Sequence, residues 1–387
     1  MSKMMIFLFD GTANDATEDR FSNVYALNQL IAESKRVGRS KLQTQVTFYL
    51  PGIGTKFTVR RAVQRGGGRW WRTDTVRQQI FGDNIEQIIL RAYVNLCANY
   101  RLGDEIALVG FSRGAVAARI FSRLISDFGI LTSDKLLHLD TLWNDFVEIS
   151  SVEADTKYQE EISRLKVELR GQAGEEAFHP IGEHPILFLG LFDTVMGPLD
   201  ELVTKNVRFR DKYPASGIKH IVHLLSMHDV REEFELQRFD RPVHLPETLR
   251  EIWVPGVHSD VGGGYEEDFV SNISLLTMAD LLEELANVAL DPKAYKQVES
   301  SISSRIEAQR FFINKEPLVG RRRSRLALIN ADDEVHPLHW YLKDKLVYWK
   351  SSNPVKYEDR LNRSGDQVDP KLQKRLNHWT RRRRKPR

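Results

Sequence analysis

Five short, largely apolar segments, each followed by a turn sequence, most constrain how this chain of 387 residues can fold. Their length and composition predict buried β-strands. Segments with helical spacing lie between them, notably residues 24–35, 76–100 and 115–128. Because buried strands alternate with helices, the sequence predicts an α/β protein built on a mostly parallel, doubly wound sheet. The five segments are Met4 to Phe9, Val46 to Leu50, Glu105 to Val109, Ile186 to Phe192 and Glu251 to Val254.

The chemically distinctive residues of the chain directly follow these strands. In an open parallel sheet the carboxyl ends of the strands meet at one edge, so residues at those ends are predicted to converge. The sequence therefore indicates one site assembled from distant parts of the chain. The segments concerned are Asp10-Gly11-Thr12, Pro51-Gly52-Ile53-Gly54-Thr55, Gly110-Phe111-Ser112-Arg113-Gly114, Asp193-Thr194 and Pro255-Gly256-Val257-His258-Ser259-Asp260.

Ser112 is the candidate nucleophile. The strand before it runs into Gly-Phe-Ser-Arg-Gly and then into Ala115-Val116-Ala117-Ala118, a strong helix start. Gly110 and Gly114 would allow the sharp strand-to-helix turn that raises a serine at the helix N-terminus, as in an α/β-hydrolase. A purely structural turn would explain the glycines equally well, but it would not explain the acid and base found downstream.

A serine hydroxyl needs a base to take its proton and an acid to orient that base. In α/β-hydrolases these partners follow in the order Ser, acid, His. Asp193 and His258 each follow a predicted strand in that order. Asp260 is a rival acid that we interpret as shaping the turn after His258, and Asp10 is a further rival. Three other histidines on one predicted helix are interpreted as structural, namely His220, His223 and His228.

The backbone N–H of Arg113, next after the nucleophile, is a predicted oxyanion donor. Gly11 and Thr12, in the loop after the first strand, are candidates for the second donor, although an ordinary Asp-Gly turn explains that sequence equally well. A phosphatase with an aspartyl nucleophile in Asp-x-Asp-Gly-Thr is excluded, because Leu8 occupies the nucleophile position. No nucleotide-binding pattern is present, and we expect no cofactor and no metal.

The predicted hydrolase domain spans residues 1–312 and contains a charged, glycine-poor insertion at about 134–183 that is a candidate helical cap. Residues 313–370 are predicted to form a C-terminal extension packed on this domain, and residues 371–387 a basic, weakly ordered tail. The tail holds nine Lys and Arg and no acidic residue, so the net charge of +3 conceals a net acidic remainder. The one cysteine, Cys97, excludes an internal disulfide and is interpreted as a buried apolar residue.

Two basic segments are compatible with an anionic membrane surface. Trp70 and Trp71 lie between Arg69 and Arg72, a composition that suits an interfacial loop, although packing against the cap remains open. The tail is either a solvated end or a binding segment for anionic lipid or a protein partner, and nucleic acid is not expected as the primary partner. The first ten residues are too few to span a bilayer and lack a signal-peptide pattern, so we expect a cytoplasmic location. Peripheral membrane attachment and export without a signal peptide remain open.

Six motifs occur in order along the chain, namely Phe-Asp-Gly-Thr (9–12), Ser-Asn-Val (22–24), Pro-Gly-Ile-Gly-Thr (51–55), the serine motif (110–114), Gly-Leu-Phe-Asp-Thr-Val (190–195) and Pro-Gly-Val-His-Ser-Asp-Val-Gly-Gly-Gly-Tyr (255–265). The chain resembles the α/β-hydrolase domain family that includes the catalytic domains of type VI secretion phospholipase effectors. The resemblance implies a triad of Ser112, Asp193 and His258 and an acyl-ester substrate, in particular a phospholipid. The competing interpretation is a hydrolase-like binding or assembly module.

Overall fold

A computed structural model gives the structure of most of the chain. It describes residues 2–11, 20–37, 41–52, 74–149, 155–196, 213–232, 234–240, 246–309, 311–313, 323–349, 353–358, 361 and 368–381. Thr12, the segment from Arg69 to Arg72 and residues 382–387 lie outside the described residues. The predictions made for them therefore remain predictions.

Two sheets contain the described strands. The larger has eight strands in the order β2-β3-β1-β4-β5-β6-β7-β9, and the smaller has the order β11-β10-β8. Neighbours in the larger sheet are parallel except for β2, which pairs antiparallel with β3 at one edge. The strands are β1 (Met4–Phe9), β2 (Ser34–Val37), β3 (Lys41–Leu50), β4 (Glu105–Phe111), β5 (Ile186–Phe192), β6 (Ile218–Ser226), β7 (Thr248–Val254), β8 (Phe311–Ile313), β9 (Glu334–Val335), β10 (Leu346–Trp349) and β11 (Val355–Lys356).

Helices cover both faces of the larger sheet, which confirms the predicted α/β class. Strand β1 shows how one sequence serves two cores, because alternate side chains of a strand point to opposite faces. Met5, Phe7 and Phe9 pack with α2 and α3, whereas Met4 and Leu8 pack with α1 and α7. The described helices are α1 (Asn23–Leu30), α2 (Asp74–Asn99), α3 (Arg113–Phe128), α4 (Leu139–Ile149), α5 (Asp155–Ala173), α6 (His258–Gly262), α7 (Phe269–Ala286), α8 (Pro292–Glu307), α9 (Leu338–Leu342) and α10 (Pro370–Trp379).

The order of the strands determines where a site can form. Strands β2 and β3 lie on one side of β1, and β4 and the later strands lie on the other, so the direction of winding reverses between β1 and β4. A crevice opens at the carboxyl ends of the strands at such a reversal. Asp10 follows β1 and Ser112 follows β4, and both therefore lie at this position.

The prediction of a helix around His220, His223 and His228 is wrong. Residues Ile218–Ser226 form the central strand β6, and all but one of them are buried. A parallel strand covered on both faces has no alternation of polar and apolar residues, so its sequence can be mistaken for a helix. The first predicted helix is also shorter than expected, because α1 ends at Leu30 and Ser34–Val37 form β2.

Most of the described part of residues 134–183 is helical, as predicted, up to Ala177. Helices α4 and α5 pack on α2 and α3. Trp143 Nε1 donates to Glu86 of α2, and the Tyr158 hydroxyl donates to Asp127 near the C-terminal end of α3. That end of α3 is opposite to Ser112. The domain boundaries and the role of this insertion as a cap stay predictions.

The start of the basic tail is ordered, contrary to the prediction of weak order from residue 371. Pro370–Trp379 form α10, and the side chain of Asp369 caps the helix by accepting from the amides of Lys371 and Leu372. The helix is stable because Leu372, Leu376 and Trp379 recur at helical spacing and join the core on the α7 side of the sheet.

Candidate active site

Ser112 lies in the sharp turn between β4 and α3. Its backbone has φ 57° and ψ −126°, a conformation that is strained for a residue with a side chain. A Cβ atom on Gly110 would lie 2.6 Å from the Cα of Ala115, and one on Gly114 would lie 2.3 Å from the carbonyl oxygens of Phe9 and Asp10. The two glycines are therefore required because strand, helix and neighbouring strand approach too closely for a side chain.

Three side chains that are far apart in the sequence meet at this turn. His258 Nε2 lies 2.9 Å from Ser112 Oγ, and His258 Nδ1 lies 2.6 Å from Asp193 Oδ2. Ser112 is 6% exposed, His258 is 4% exposed and Asp193 is fully buried. With its proton on Nδ1, the imidazole donates to Asp193 and can accept from the serine hydroxyl. This is the geometry of a nucleophile, a base and an acid.

Asp193 is held by several donors besides His258. Its carboxylate accepts from the amide of Ser226 at 2.8 Å, from the Ser226 hydroxyl at 2.9 Å and from Arg325 Nη1 at 2.8 and 3.0 Å. Burial acts to raise the pKa of this carboxyl, but the charge of Arg325 and the hydrogen bonds from His258 and Ser226 outweigh it and hold the pKa well below its usual range. The carboxylate is therefore ionised at neutral pH.

The imidazole of His258 lies between two aromatic rings. The Phe111 ring is 4.7 Å away, and the Phe234 ring packs edge-on at 4.9 Å. The backbone amide of His258 donates to Asp229 at 3.1 Å. Asp229 also binds the guanidinium of Arg231, which in turn lies 3.5 Å from the centre of the Phe234 ring. These contacts fix both the ring plane and the backbone position of His258.

The candidate oxyanion donors are placed differently from one another. Arg113 begins α3, so its amide belongs to the first turn of the helix, where the helix dipole favours negative charge. The amide of Gly11 donates to the carboxylate of Asp10 at 2.6 Å in this structure. Burial lowers the pKa of the Arg113 guanidinium to about 10, which still leaves that side chain charged at neutral pH.

The carboxylates of the two rival acids, Asp10 and Asp260, accept hydrogen bonds from other parts of the chain. Asp10 accepts from the hydroxyls of Ser22 at 2.7 Å and Tyr49 at 2.6 Å, so it organises the loop after β1. Asp260 accepts from the amide of Val257 at 3.0 Å and thereby caps α6, the short helix that begins at His258. These contacts agree with the interpretation that Asp260 shapes the turn.

Four contributors to the site were missed from the sequence. Asp229 lies three residues after the end of β6, near the same edge of the sheet as Asp10 and Asp193, but the misassigned strand concealed it. Ser226 ends that strand. Arg325 stands in a run of arginines whose composition does not distinguish a buried cation from solvated ones. The fourth contributor is Phe234.

A second buried network supports the peptide after Asp193. The amide of Thr194 donates to His223 Nε2 at 3.1 Å, and His223 Nδ1 lies 3.3 Å from Glu251. Arg238 bridges two carboxylates: its Nε lies 2.9 Å from Glu251, and its Nη2 lies 2.9 Å from Asp333. Because its Nε2 accepts a hydrogen bond, His223 is neutral, and burial lowers its pKa. Burial opposes ionisation of Glu251, but the hydrogen bond from His223 and the charge of Arg238 lower the pKa of this carboxyl to about 2.

This network predicts a pH-dependent loss of stability. Glu251 has a lowered pKa in the folded protein, so its contribution is complete above its ordinary pKa and is lost as the pH falls towards about 2. We expect Glu251→Gln to lower the unfolding free energy by about 3 kcal/mol at pH 7. The difference between the two proteins should shrink as the pH falls below about 4 and become small near pH 2. Urea unfolding between these pH values measures the difference, and a constant difference would contradict the assignment.

Neither a metal centre nor a membrane span is found in the described structure. Within the ranges given above, no three His, Cys, Asp or Glu residues cluster in a way that could hold a metal ion. Over the same ranges, no helix is both long enough and apolar enough to cross a bilayer.

Several solved structures are similar to this chain, and two of them are described here. An uncharacterized protein from Pseudomonas aeruginosa is 20% identical, with a TM-score of 0.39 over 78% of this chain and 48% of that one. The Tle1 effector bound to the VgrG spike from the type VI secretion system is 20% identical, with a TM-score of 0.36 over 69% of this chain and 52% of that one. Such TM-scores are too low to transfer residues or roles.

Sequence comparisons identify the family. The uncharacterized protein YEL023C of Saccharomyces cerevisiae is 25% identical over 256 residues, which is 64% of this chain and 34% of that protein. This chain therefore matches about a third of the length of that relative. Residues 3–284 match the family described as the type VI secretion system phospholipase effector Tle1-like catalytic domain. Because the match covers most of the chain and confirms the resemblance seen in its motifs, the protein belongs to the Tle1-like phospholipase effector catalytic domain family.

Proposed function

We propose that this protein is a serine hydrolase that cleaves acyl esters of phospholipids through Ser112, His258 and Asp193. The observation that carries the proposal is the chain of two contacts, 2.9 Å from Ser112 to His258 and 2.6 Å from His258 to Asp193. Membership of a phospholipase effector family supports the substrate class. No cofactor is needed for this chemistry.

Acylation begins when Ser112 Oγ attacks the ester carbonyl carbon. His258 Nε2 takes the serine proton as the new C–O bond forms, and the carbonyl π electrons move to the oxygen. Asp193 stabilises the resulting imidazolium through its bond to Nδ1. When the tetrahedral intermediate collapses, His258 returns the proton to the leaving alcohol, and the acyl group remains on Ser112.

The negative oxygen of the intermediate needs nearby donors. The amide of Arg113, at the start of α3, supplies one, and the dipole of this 16-residue helix adds to it. Gly11 or Thr12 supplies the other. For Gly11 to act as a donor, its amide must give up the hydrogen bond to the Asp10 carboxylate and donate to the oxyanion instead.

Deacylation repeats these steps with water. His258 removes a proton from a water molecule, the hydroxide attacks the acyl carbon, and the second tetrahedral intermediate expels Ser112 Oγ. His258 gives its proton to the serine, and a free fatty acid leaves. Both half-reactions use the same base and the same oxyanion donors.

The substrate must reach Ser112 from a lipid surface. The proposed membrane contacts are Trp70 and Trp71 with Arg69 and Arg72, together with the basic residues 371–387. A protein partner bound by the same basic residues is also proposed for this chain.

Serine-directed labelling tests the proposal. We expect a fluorophosphonate probe to label the wild type and not Ser112→Ala, and phospholipid vesicles to release fatty acid only with the wild type. Ser126→Ala is the matched control, because Ser126 is in the same helix and its hydroxyl binds the carbonyl of Ser122.

Three other outcomes would count against parts of the proposal. Labelling that persists in Ser112→Ala would exclude this nucleophile. A wild type that is never labelled, with or without vesicles, would favour the binding or assembly module. Cleavage of short-chain esters with intact vesicles and micelles would exclude the phospholipid substrate.

A further inference from the structure

A buried arginine from the C-terminal part of the chain reaches the acid of the proposed triad. Arg325 begins a short 3-10 helix, Arg325–Leu328, and is 4% exposed. Its Nη1 donates to both carboxylate oxygens of Asp193 and to the Ser226 hydroxyl, and its Nη2 donates to the carbonyl of Phe234 at 2.6 Å. Position 325 lies beyond residues 3–284, the segment that matches the catalytic-domain family.

An arginine in this place requires an explanation. Burying a guanidinium is costly unless its charge and its donors are satisfied. A triad needs only a carboxylate whose orientation is maintained, and Ser226 alone already supplies two donors to Asp193. Arg325 therefore adds something that the backbone of β6 does not supply, namely a full positive charge against Asp193 and a link to Phe234.

We propose that Arg325 is a positioning residue for the Ser112-His258-Asp193 site, so that the segment after the family-matched region completes the active site. This inference rests on the proposed function. Through Nη1, Arg325 directs Asp193 Oδ2 towards His258. Through Nη2 it holds the backbone of Phe234, whose ring packs against the imidazole. One side chain thus orients the base from two sides.

The segment that carries Arg325 is itself anchored to the sheet. Strand β9 pairs in parallel with β7, the strand that leads to His258. Trp253 of β7 donates through its Nε1 to Asp333, and Arg250 of β7 binds both Glu334 and Asp369. The strand that follows the 3-10 helix of Arg325 and the strand that precedes His258 are therefore hydrogen-bonded neighbours in one sheet, which ties the segment of Arg325 to the segment of His258.

The charges around Asp193 determine how the site should respond to pH. His258 and Arg325 contact the carboxylate, while His223 and Asp229 act on it at longer range. Arg325 is the largest of the influences that lower the pKa of Asp193, against the effect of burial. Without this cation the pKa of Asp193 rises. A protonated Asp193 no longer supplies the negative charge that stabilises the imidazolium of His258, so activity should be lost first at acidic pH.

The test compares three variants of the full chain. Arg325→Met removes the charge and both hydrogen-bonding arms at similar volume, and Arg325→Lys keeps the charge but cannot reach Asp193 and Phe234 with a rigid fork. Arg323→Met is the control, because Arg323 is two residues away, largely exposed and 3.9 Å from Glu235. The measurement is the rate of fluorophosphonate labelling and the kcat and KM for a soluble ester, from pH 5 to pH 9.

We expect Arg325→Met to react about 10–100-fold more slowly than the wild type at pH 7, through kcat rather than KM. Its loss of activity on acidification should begin at a higher pH than in the wild type. Arg325→Lys should fall between the two, and Arg323→Met should match the wild type. A purely structural role of Arg325 would change the amount of folded protein but not the pH profile of the folded fraction.

Failure of this inference is distinguishable from failure of the proposed function. If labelling of the wild type does not depend on Ser112, the proposed function is wrong and Arg325 has no triad to position. If labelling depends on Ser112 and folded Arg325→Met keeps the rate and pH profile of the wild type, only the present inference is overturned. If Arg325→Met does not fold, Arg325→Lys decides, because wild-type kinetics in that variant would also overturn it.

Discussion

His258→Ala is expected to lower kcat for ester cleavage by about 10⁵–10⁶-fold while the protein remains folded. Among the described residues, the imidazole is the base placed to take the Ser112 proton, at 2.9 Å, and removing it leaves the serine hydroxyl without this base. Steady-state kinetics with a soluble ester measure the effect, and circular dichroism measures the fold. The remaining rate would come from the oxyanion donors and substrate binding.

A second histidine variant serves as the control, because it shows whether replacing a histidine far from Ser112 also lowers kcat. His184 lies in the loop before β5, at the opposite edge of the sheet from Ser112, and His184→Ala should retain the activity of the wild type. If His258→Ala kept more than about one hundredth of the wild-type kcat, His258 would not be the general base, since that role alone contributes about 10²–10⁴-fold.

Gly114→Ala is expected to lower the unfolding free energy by about 3 kcal/mol or more. The added methyl would lie 2.3 Å from two backbone carbonyl oxygens, of Phe9 and Asp10, and neither can move without displacing β1. Urea unfolding measures the change. Because the same shift disturbs the loop at Gly11, the folded fraction of Gly114→Ala should also react more slowly with a fluorophosphonate probe.

Gly171→Ala is the matched control for this substitution. Gly171 is in α5, and a Cβ atom there would have nothing within 4 Å. Alanine in a helix interior is favoured over glycine, so this variant should gain about 0.5–1 kcal/mol. If Gly114→Ala also matched or exceeded the wild type in stability, the close approach of α3 to β1 would be contradicted.

Much of the architecture could be predicted from the sequence because its strands are short, apolar and followed by reactive residues. Strand β6 was missed for a physical reason, since a strand buried on both faces has no polar alternation. Helix α10 was missed because its apolar residues are diluted by basic ones, and composition averaged over the tail conceals Leu372, Leu376 and Trp379.

The residues of the candidate site were likewise only partly predictable from the sequence. Ser112, Asp193 and His258 could be named because each occupies a strand end in the order that this fold requires. The predictions for Arg113, Gly11 and Thr12 as oxyanion donors still await a test. Arg325 could not be named, because nothing local distinguishes it from its neighbours in the arginine run. Its importance depends on a contact across 132 positions of the chain.

The edges of the larger sheet affect how this protein behaves at high concentration. An open edge strand offers unpaired backbone groups to any other chain. At one edge here, β2 is four residues long and includes Lys35 and Arg36, and at the other, β9 has two residues. Cationic side chains and short length both oppose strand addition. Concentrated protein should therefore resist aggregation through these two strands.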